Sequence, residues 1–230
     1  MLSVSQAAAK VVKRDYGIVS EVVPNVVDYD RFNKASAKYP KNVVNIIFLG
    51  RLVKRKNPIT LLKAINYLIE NKLVDIRFKV YICGSGENEQ NLKDYVDSHG
   101  LENVIDFIGF VNETEKPRVY KSADICVFPS TGGESFGIVL IEAMASGMSV
   151  VLAGANPGYS SVLSNFPELL FKPTDYIQLA NLLKIYIENE NTRKVIAKAL
   201  NEYSKSFDVN IVGNYILELY RTALRKHTKV

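Results

Sequence analysis

Cysteine and histidine are scarce in this 230-residue chain, with two of each. Cys83 and Cys126 form no CxxC pair, and with only His99 and His227 to complement them no zinc-ligand spacing exists. A nucleophilic triad would have to use one of those two histidines. His99 precedes Gly100 at an expected helix end, where a cation suits the terminal carbonyls, and His227 lies in the tail. Metal and covalent catalysis are therefore not expected. Long apolar runs are also absent: no stretch approaches the roughly 18–20 uncharged residues of a membrane-spanning helix. The start, MLSVSQAAAKVVKRDYG, has no basic segment followed by an apolar core, so no secretory signal is read. A cytosolic chain with buried, reduced thiols is the expectation. No internal repeat and no low-complexity tract is visible.

What is there is ordinary globular composition: 47% hydrophobic, 23% charged, mean hydropathy +0.01. That excludes a disordered chain, a collagen and a disulfide scaffold, and allows one large domain or one domain with appendages. Lys and Arg number 29 against 24 Asp and Glu, for a net charge of +5 and a pI near 9.0. This balance favours anionic partners: a nucleoside diphosphate, a nucleic acid or an acidic membrane surface. The basic residues are spread out, densest in KRK at 54–56 and RKHTK at 225–229. Neither patch has the interleaved aromatics of a single-strand binder, so nucleic acid is not expected.

From residue 43 onward short β-rich runs alternate with longer segments of helical period. The strand candidates are VVNIIFL (43–49), IRFKVYIC (76–83), VIDFI (104–108), DICVF (124–128), SVVL (149–152) and ELLF (168–171). Most are nearly continuous in apolar residues, as strands covered on both faces are. Asn57-Pro58 reads as N-cap and first helical residue, followed by Leu61, Leu62, Ile65, Leu68 and Ile69 at helical spacing. Another helix runs from about Glu87 and ends at Gly100; a third spans about Gly137 to Ser146 and stops at Gly147. The fold class is therefore α/β, a doubly wound parallel sheet. Residues 1–22 read as a helix over Ala7–Arg14 and a short strand in VSEVVPN. The far end reads as helices over Thr174–Asn189 and Thr192–Ser206, then one capped by Asp208 and reaching about Arg225. That last helix puts Ile211, Val212, Tyr215, Ile216, Leu219 and Tyr220 on one stripe that needs a partner surface.

Ligands of open α/β sheets bind beyond the carboxyl ends of the strands. After the first strand comes GRLVKRKNP, with Arg51 and Lys56 just before a helix N-terminus. A fork-shaped cation, a point cation and free amides suit a diphosphate, although the same charges could simply be solvated. No GxxxxGK[ST] loop is present. After the second strand comes Gly84-Ser85-Gly86, but Glu89 stands where a third glycine would complete a dinucleotide fingerprint, so NAD is not expected. These glycines serve either a tight turn or close approach to a ligand.

The richest segment is PSTGGESFGIVLIEAMASGMSVV after the fourth strand. Ser135, Phe136 and Gly137 leave amides exposed where a helix starts, an anion nest at its positive end. Glu142 is flanked by Leu140, Ile141, Ala143 and Met144, so its carboxylate is buried and needs donors. A vicinal diol would match its two acceptor oxygens; bonds to neighbouring backbone would satisfy it equally.

The E-x7-E spacing of Glu134 and Glu142 within GGESFGIVLIEAMASG resembles the retaining GT-B glycosyltransferases of family GT4. VVPNVVDYDRF resembles that family's interdomain PNGVD…F segment, FLGRLVKRKN its GRL…KG segment, and SADICVFPS the strand before the acidic motif. ESFGIVL together with NPGY at 156–159 is similar to the mannosyltransferase-like branch. The resemblance covers roughly residues 20–172 with four motifs in order. Val26, Asn57 and Ser149 depart from the family's Gly, Gly and Pro, and none removes a proposed contact.

The resemblance implies a donor-binding Rossmann-like domain, one half of a GT-B fold, at 41–206. Residues 1–40 would be the end of a missing N-terminal acceptor domain plus the linker, and 207–230 the crossover helix and tail. The donor would be a GDP- or UDP-linked hexose, mannosyl or glucosyl, with no further cofactor and no metal. Arg51 and Lys56 would hold the diphosphate, Glu142 the ribose hydroxyls, and Glu134 the donor sugar. Ser135 and the amides of Phe136, Gly137 and Ile138 would lie near phosphates and hydroxyls, with Val111 and Lys116 at the base. The acceptor would be a lipid or a polysaccharide, which implies a cytoplasmic place with peripheral contact at the inner membrane face. A non-catalytic nucleotide-sugar-binding module is the alternative. The uncovered stripe implies self-association of the chain.

Overall fold

Six of the apolar runs hydrogen-bond into one parallel sheet. The structure, a computed structural model, describes residues 1–40 and 42–227, without the side chains at 226 and 227. Most of the basic patch at 225–229 and the His227 imidazole lie outside the described residues.

The chain opens with β1 (Leu2–Ser3), α1 (Gln6–Tyr16) and β2 (Glu21–Val22), where β1 and β2 pair in parallel. A five-residue helix, α2 (Tyr29–Asn33), follows. The main alternation runs β3 (Val44–Leu49), α3 (Pro58–Glu70), β4 (Phe78–Cys83), α4 (Glu89–Ser98), β5 (Ile105–Gly109) and α5 (Lys116–Ser122). Its second half is β6 (Ile125–Phe128), α6 (Ile138–Ala145), β7 (Val150–Gly154), α7 (Pro157–Val162) and β8 (Leu170–Phe171). Three helices close the chain: α8 (Tyr176–Glu188), α9 (Glu190–Ser204) and α10 (Val209–His227).

The sheet order is β5-β4-β3-β6-β7-β8 with every neighbour parallel. β3, β6 and β7 are buried along their whole length. Covered on both faces, they read as unbroken apolar runs rather than alternating ones. The polar exception, Asn45, donates its amide to the carbonyls of Pro40 (2.7 Å) and Ser122 (3.0 Å), while its buried Oδ1 has no partner. From β3 the chain builds outward through β4 and β5, then returns to lay β6 against the free side of β3. The order reverses there, and the crevice beyond the carboxyl ends of β3 and β6 is where this topology places a ligand.

Several local expectations are revised. Only Leu170–Phe171 of ELLF is strand, because Pro167 starts a single 3₁₀ turn over Pro167–Leu169. Asn57 stands at the N-cap of α3 in a left-handed conformation (φ 55°), but its side chain does not cap the helix. It donates instead to Thr60 Oγ1, the Pro129 carbonyl and the Pro173 carbonyl, at 2.8, 3.2 and 2.7 Å. Helices α2, α5 and α7 were not expected. Asp208 does cap the start of α10, accepting from the Asn210 amide at 2.9 Å, and it also accepts from the Tyr29 amide. Of the α10 stripe, Val212 is buried, while Ile211, Tyr215 and Tyr220 remain exposed.

Candidate functional site

The loop leaving β3 and the loop leaving β6 meet at one carboxylate. Lys56 Nζ stands 2.9 Å from Glu134 Oε1, Arg55 donates to the same oxygen at 2.6 Å, and Ser130 Oγ donates to it at 2.8 Å. Arg55 also donates to the Gly132 carbonyl at 2.9 Å. Burial pushes the Glu134 carboxyl up, but the bonds and charges of Lys56, Ser130 and Arg55 outweigh it and hold the group below its ordinary value. Glu134 is thus an ionised acceptor with three donors gathered on one of its oxygens.

Beyond Glu134 the loop turns into α6. Gly137, at φ 135°, makes that turn, and a Cβ there would stand 2.7 Å from the Tyr159 ring. Among the described residues the amides of Phe136, Gly137 and Ile138 have no backbone acceptor, so they are open at the positive end of α6. The Phe136 side chain itself is core, edge-on to Phe207 at 5.8 Å, which leaves only its amide for a ligand. Ile138 is exposed, and the Ser135 carbonyl is taken by the Ser5 hydroxyl at 2.5 Å. The NPGY segment supports this loop from below: Asn156 donates to the Ser130 carbonyl at 3.0 Å and caps α7 through the Tyr159 amide at 3.0 Å.

A cleft of about 500 Å³ opens beside this loop. Arg51, Lys56, Val111 and Lys116 all line it, so four of the expected side chains share one cavity. Arg51 makes no ion pair among the described residues, and its guanidinium is exposed. Glu142 is buried, as its apolar flanks indicate, and is reached through Lys116, whose Nζ lies 3.6 Å from Glu142 Oε1 and 2.6 Å from Glu113 Oε1. Glu142 Oε2 has no hydrogen-bond partner at all. Burial, only partly offset by Lys116, raises the Glu142 carboxyl above its ordinary value. The backbone-bonded alternative for Glu142 finds no support in these contacts.

Gly84 and Gly86 approach the chain's own backbone. A Cβ on Gly84 would lie 1.9 Å from the Gly50 carbonyl oxygen, and one on Gly86 would lie 2.4 Å from that of Leu52. These contacts with the neighbouring loop require both glycines, and Gly84 and Ser85 also line the cleft, so the segment keeps both of its readings. Cys83 and Cys126 are free and buried, and burial pushes both thiols up to about 12. Among the described residues no group of three His, Cys, Asp or Glu side chains could hold a metal ion.

Arg55, Ser130, Glu113 and Phe110 were not among the expected residues. Arg55 is hidden inside a charge run whose three members look alike, and Ser130 inside a loop rich in small residues. Phe110, 78% exposed at the cleft, carried a signal that could have been used: a lone aromatic directly after a strand end.

The phosphatidyl-myo-inositol mannosyltransferase of Mycobacterium leprae is 31% identical over all of this chain and 60% of its own length. The D-inositol 3-phosphate glycosyltransferase of an Arthrobacter strain is 27% identical over 90% of this chain and 51% of its own. The chain therefore spans about 60% of the first of these relatives and half of the second. Among solved structures, a glycosyltransferase from Rickettsia africae superposes with a TM-score of 0.83 at 21% identity, covering 97% of this chain and 63% of that one. Anabaena Alr3699/HepE in complex with UDP-glucose superposes with a TM-score of 0.81 at 23% identity, over 96% and 63%. These two establish the fold, that of a GT-B Rossmann-like domain. Residues 30–203 match the family of glycosyl transferases group 1, and the chain belongs to that family.

Proposed function

We propose that this chain is the donor-binding half of a retaining glycosyltransferase that uses a GDP- or UDP-linked hexose. The observation that carries the reading is Glu142 Oε2, a buried carboxylate oxygen with no donor, one lysine away from a cleft with an unpaired arginine in its wall. A buried carboxylate oxygen without a partner is costly, and a ribose diol would bring the missing donors.

In this arrangement Arg51 and Lys56 bind the diphosphate, joined by the open amides of Phe136, Gly137 and Ile138. They stabilise the charge that develops on the leaving diphosphate without a metal ion. Lys56 faces both Glu134 and the cleft, so it ties the sugar-facing carboxylate to the phosphate end. Ser135 completes the loop at the sugar. The base lies toward Val111 and Lys116.

The mannosyltransferase names among the relatives favour a mannosyl donor, and the UDP-glucose bound by the Anabaena protein favours a glucosyl one. A lipid or polysaccharide acceptor on a separate N-terminal domain, and a cytoplasmic place at the membrane face, belong to the same proposal. No helix among the described residues is long and apolar enough to cross a membrane.

Transfer requires donor and acceptor held together in a closed cleft. This chain alone is accordingly expected to bind nucleotide without transferring sugar. Calorimetric titration with GDP, UDP and ADP tests the reading. GDP or UDP should give binding heat in excess of ADP, and Glu142→Ala should weaken it by about 1–3 kcal/mol. Heats equal to dilution for both GDP and UDP, at millimolar ligand, would overturn it.

A further inference from the structure

The helix α2 lies outside the cleft, yet it packs against both α5, which carries the cleft-lining Lys116, and α6, which carries the buried Glu142. Phe32 anchors α2, buried and 6.2 Å from the Tyr120 ring. Asp28 fixes its start by accepting from the amide of Arg31 at 3.1 Å. From that fixed start the Arg31 guanidinium passes over the Phe32 ring, 5.6 Å from its centroid, and donates to the Glu113 carbonyl. Arg31 and Glu113 are 82 residues apart in the chain. On the cleft side of that carbonyl, the Glu113 carboxylate holds Lys116, which faces Glu142.

We propose that Arg31 is a positioning residue for the nucleotide: from α2 it pins the loop from Glu113 to Lys116 and thereby sets where Lys116 stands against Glu142 at the base end of the cleft. The proposal rests on the reading of the cleft given above. The groups that bear on Glu142 are Lys116 and Tyr120 from α5, Glu113 from the loop and Arg31 from α2. Lys116 and Arg31 favour its ionised form, while Glu113 opposes it. Loss of Arg31 therefore does two things. It frees the loop that lines the base end of the cleft, and it removes one of the two cations that partly offset the cost of ionising Glu142 in a buried site.

The test compares wild type with Arg31→Ala, Arg31→Lys and Lys34→Ala. The last removes an exposed ion pair on the same helix and controls for general damage to α2. Hydrogen exchange in the ligand-free chain reads the loop directly, and titration with GDP and UDP over a pH series reads the site. Arg31→Ala should speed exchange at the amides of 110–116, raise Kd about tenfold, and move the loss of binding on acidification to higher pH. Arg31→Lys should recover the pH midpoint but not the exchange protection, because lysine keeps the charge and loses the forked reach. Lys34→Ala should change neither.

Wild-type exchange at 110–116 in Arg31→Ala would overturn the proposal. So would a lower melting temperature with an unchanged Kd and pH midpoint. Failure of the wild type to take up either nucleotide would instead overturn the reading of the cleft, and the exchange arm would still decide the Arg31 contact.

Discussion

Gly158 lies directly beneath Glu134: a Cβ on Gly158 would stand 2.2 Å from the Glu134 carbonyl oxygen and 2.8 Å from that of Phe136. The first turn of α7 thus touches the backbone of the acid-bearing loop with nothing between them. Gly158→Ala must push the two apart. Overpacking of this kind costs about 1–3 kcal/mol, and here the displaced atoms belong to the site. The variant should melt lower and bind nucleotide more weakly, as read by thermal melts and calorimetry. A variant that keeps both values would show that the loop yields freely.

Glu142 and stability pull in opposite directions. Its carboxyl is raised above the ordinary 4.5 by burial, so the folded chain holds that proton more tightly than the unfolded chain does. The penalty for ionising it is absent below 4.5 and grows as pH rises through the folded pKa. Glu142→Gln removes the penalty. At neutral pH the variant should melt higher than wild type while binding nucleoside diphosphate more weakly, and the gap in melting temperature should narrow on acidification. A variant that melts lower at neutral pH would contradict this.

Glu134 has the opposite sign. Its folded pKa is depressed, so the stability it contributes is present above 4.5 and lost as pH falls through the folded value. Arg55→Ala takes away one of the cations responsible. The Arg55 side chain is 38% exposed, so solvent screening limits the effect to about 1 kcal/mol or less. Acid titration followed by circular dichroism should show the variant unfolding at a higher pH than wild type. An unchanged acid midpoint would mean that Lys56 and Ser130 suffice.

The stripe on α10 leads to a prediction about association. Ile211 and Tyr220 are 55% and 63% exposed, and with Tyr215 they leave an apolar strip facing outward. Sedimentation at increasing concentration should show self-association, reduced by Ile211→Glu combined with Tyr220→Glu. A clean monomer across a micromolar series would remove the expectation.

The long elements were legible because their patterns are strong. β3, β6 and β7 announce double-sided burial with unbroken apolar residues, and α3 repeats leucine and isoleucine at helical spacing. Helices α2, α5 and α7 span five to seven residues, too short for a period to emerge, and α5 and α7 carry proline in their first turn. In the site, Arg51, Lys56, Val111 and Lys116 were legible through motif order and do share a cleft. Arg55 was not legible. Its role exists only because the sheet brings residue 134 beside residue 55, and nothing local distinguishes it from Lys54. Asn57 and Pro58 do stand at the N-cap and first position that the sequence indicates, but the Asn57 amide is claimed by two distant carbonyls, which no local pattern shows.

The Ser5 hydroxyl belongs to two structures at once. It accepts from the Ala8 amide to start α1, and it donates its proton to the Ser135 carbonyl in the acid-bearing loop. One oxygen therefore couples the order of the first helix to the shape of the loop more than a hundred residues away. Such coupling is reciprocal. A ligand that draws the Ser135 carbonyl away breaks a hydrogen bond that holds the N-cap of α1 against the loop. The opening residues of the chain become a reporter of the site, readable at Ala8 without touching any residue of the cleft.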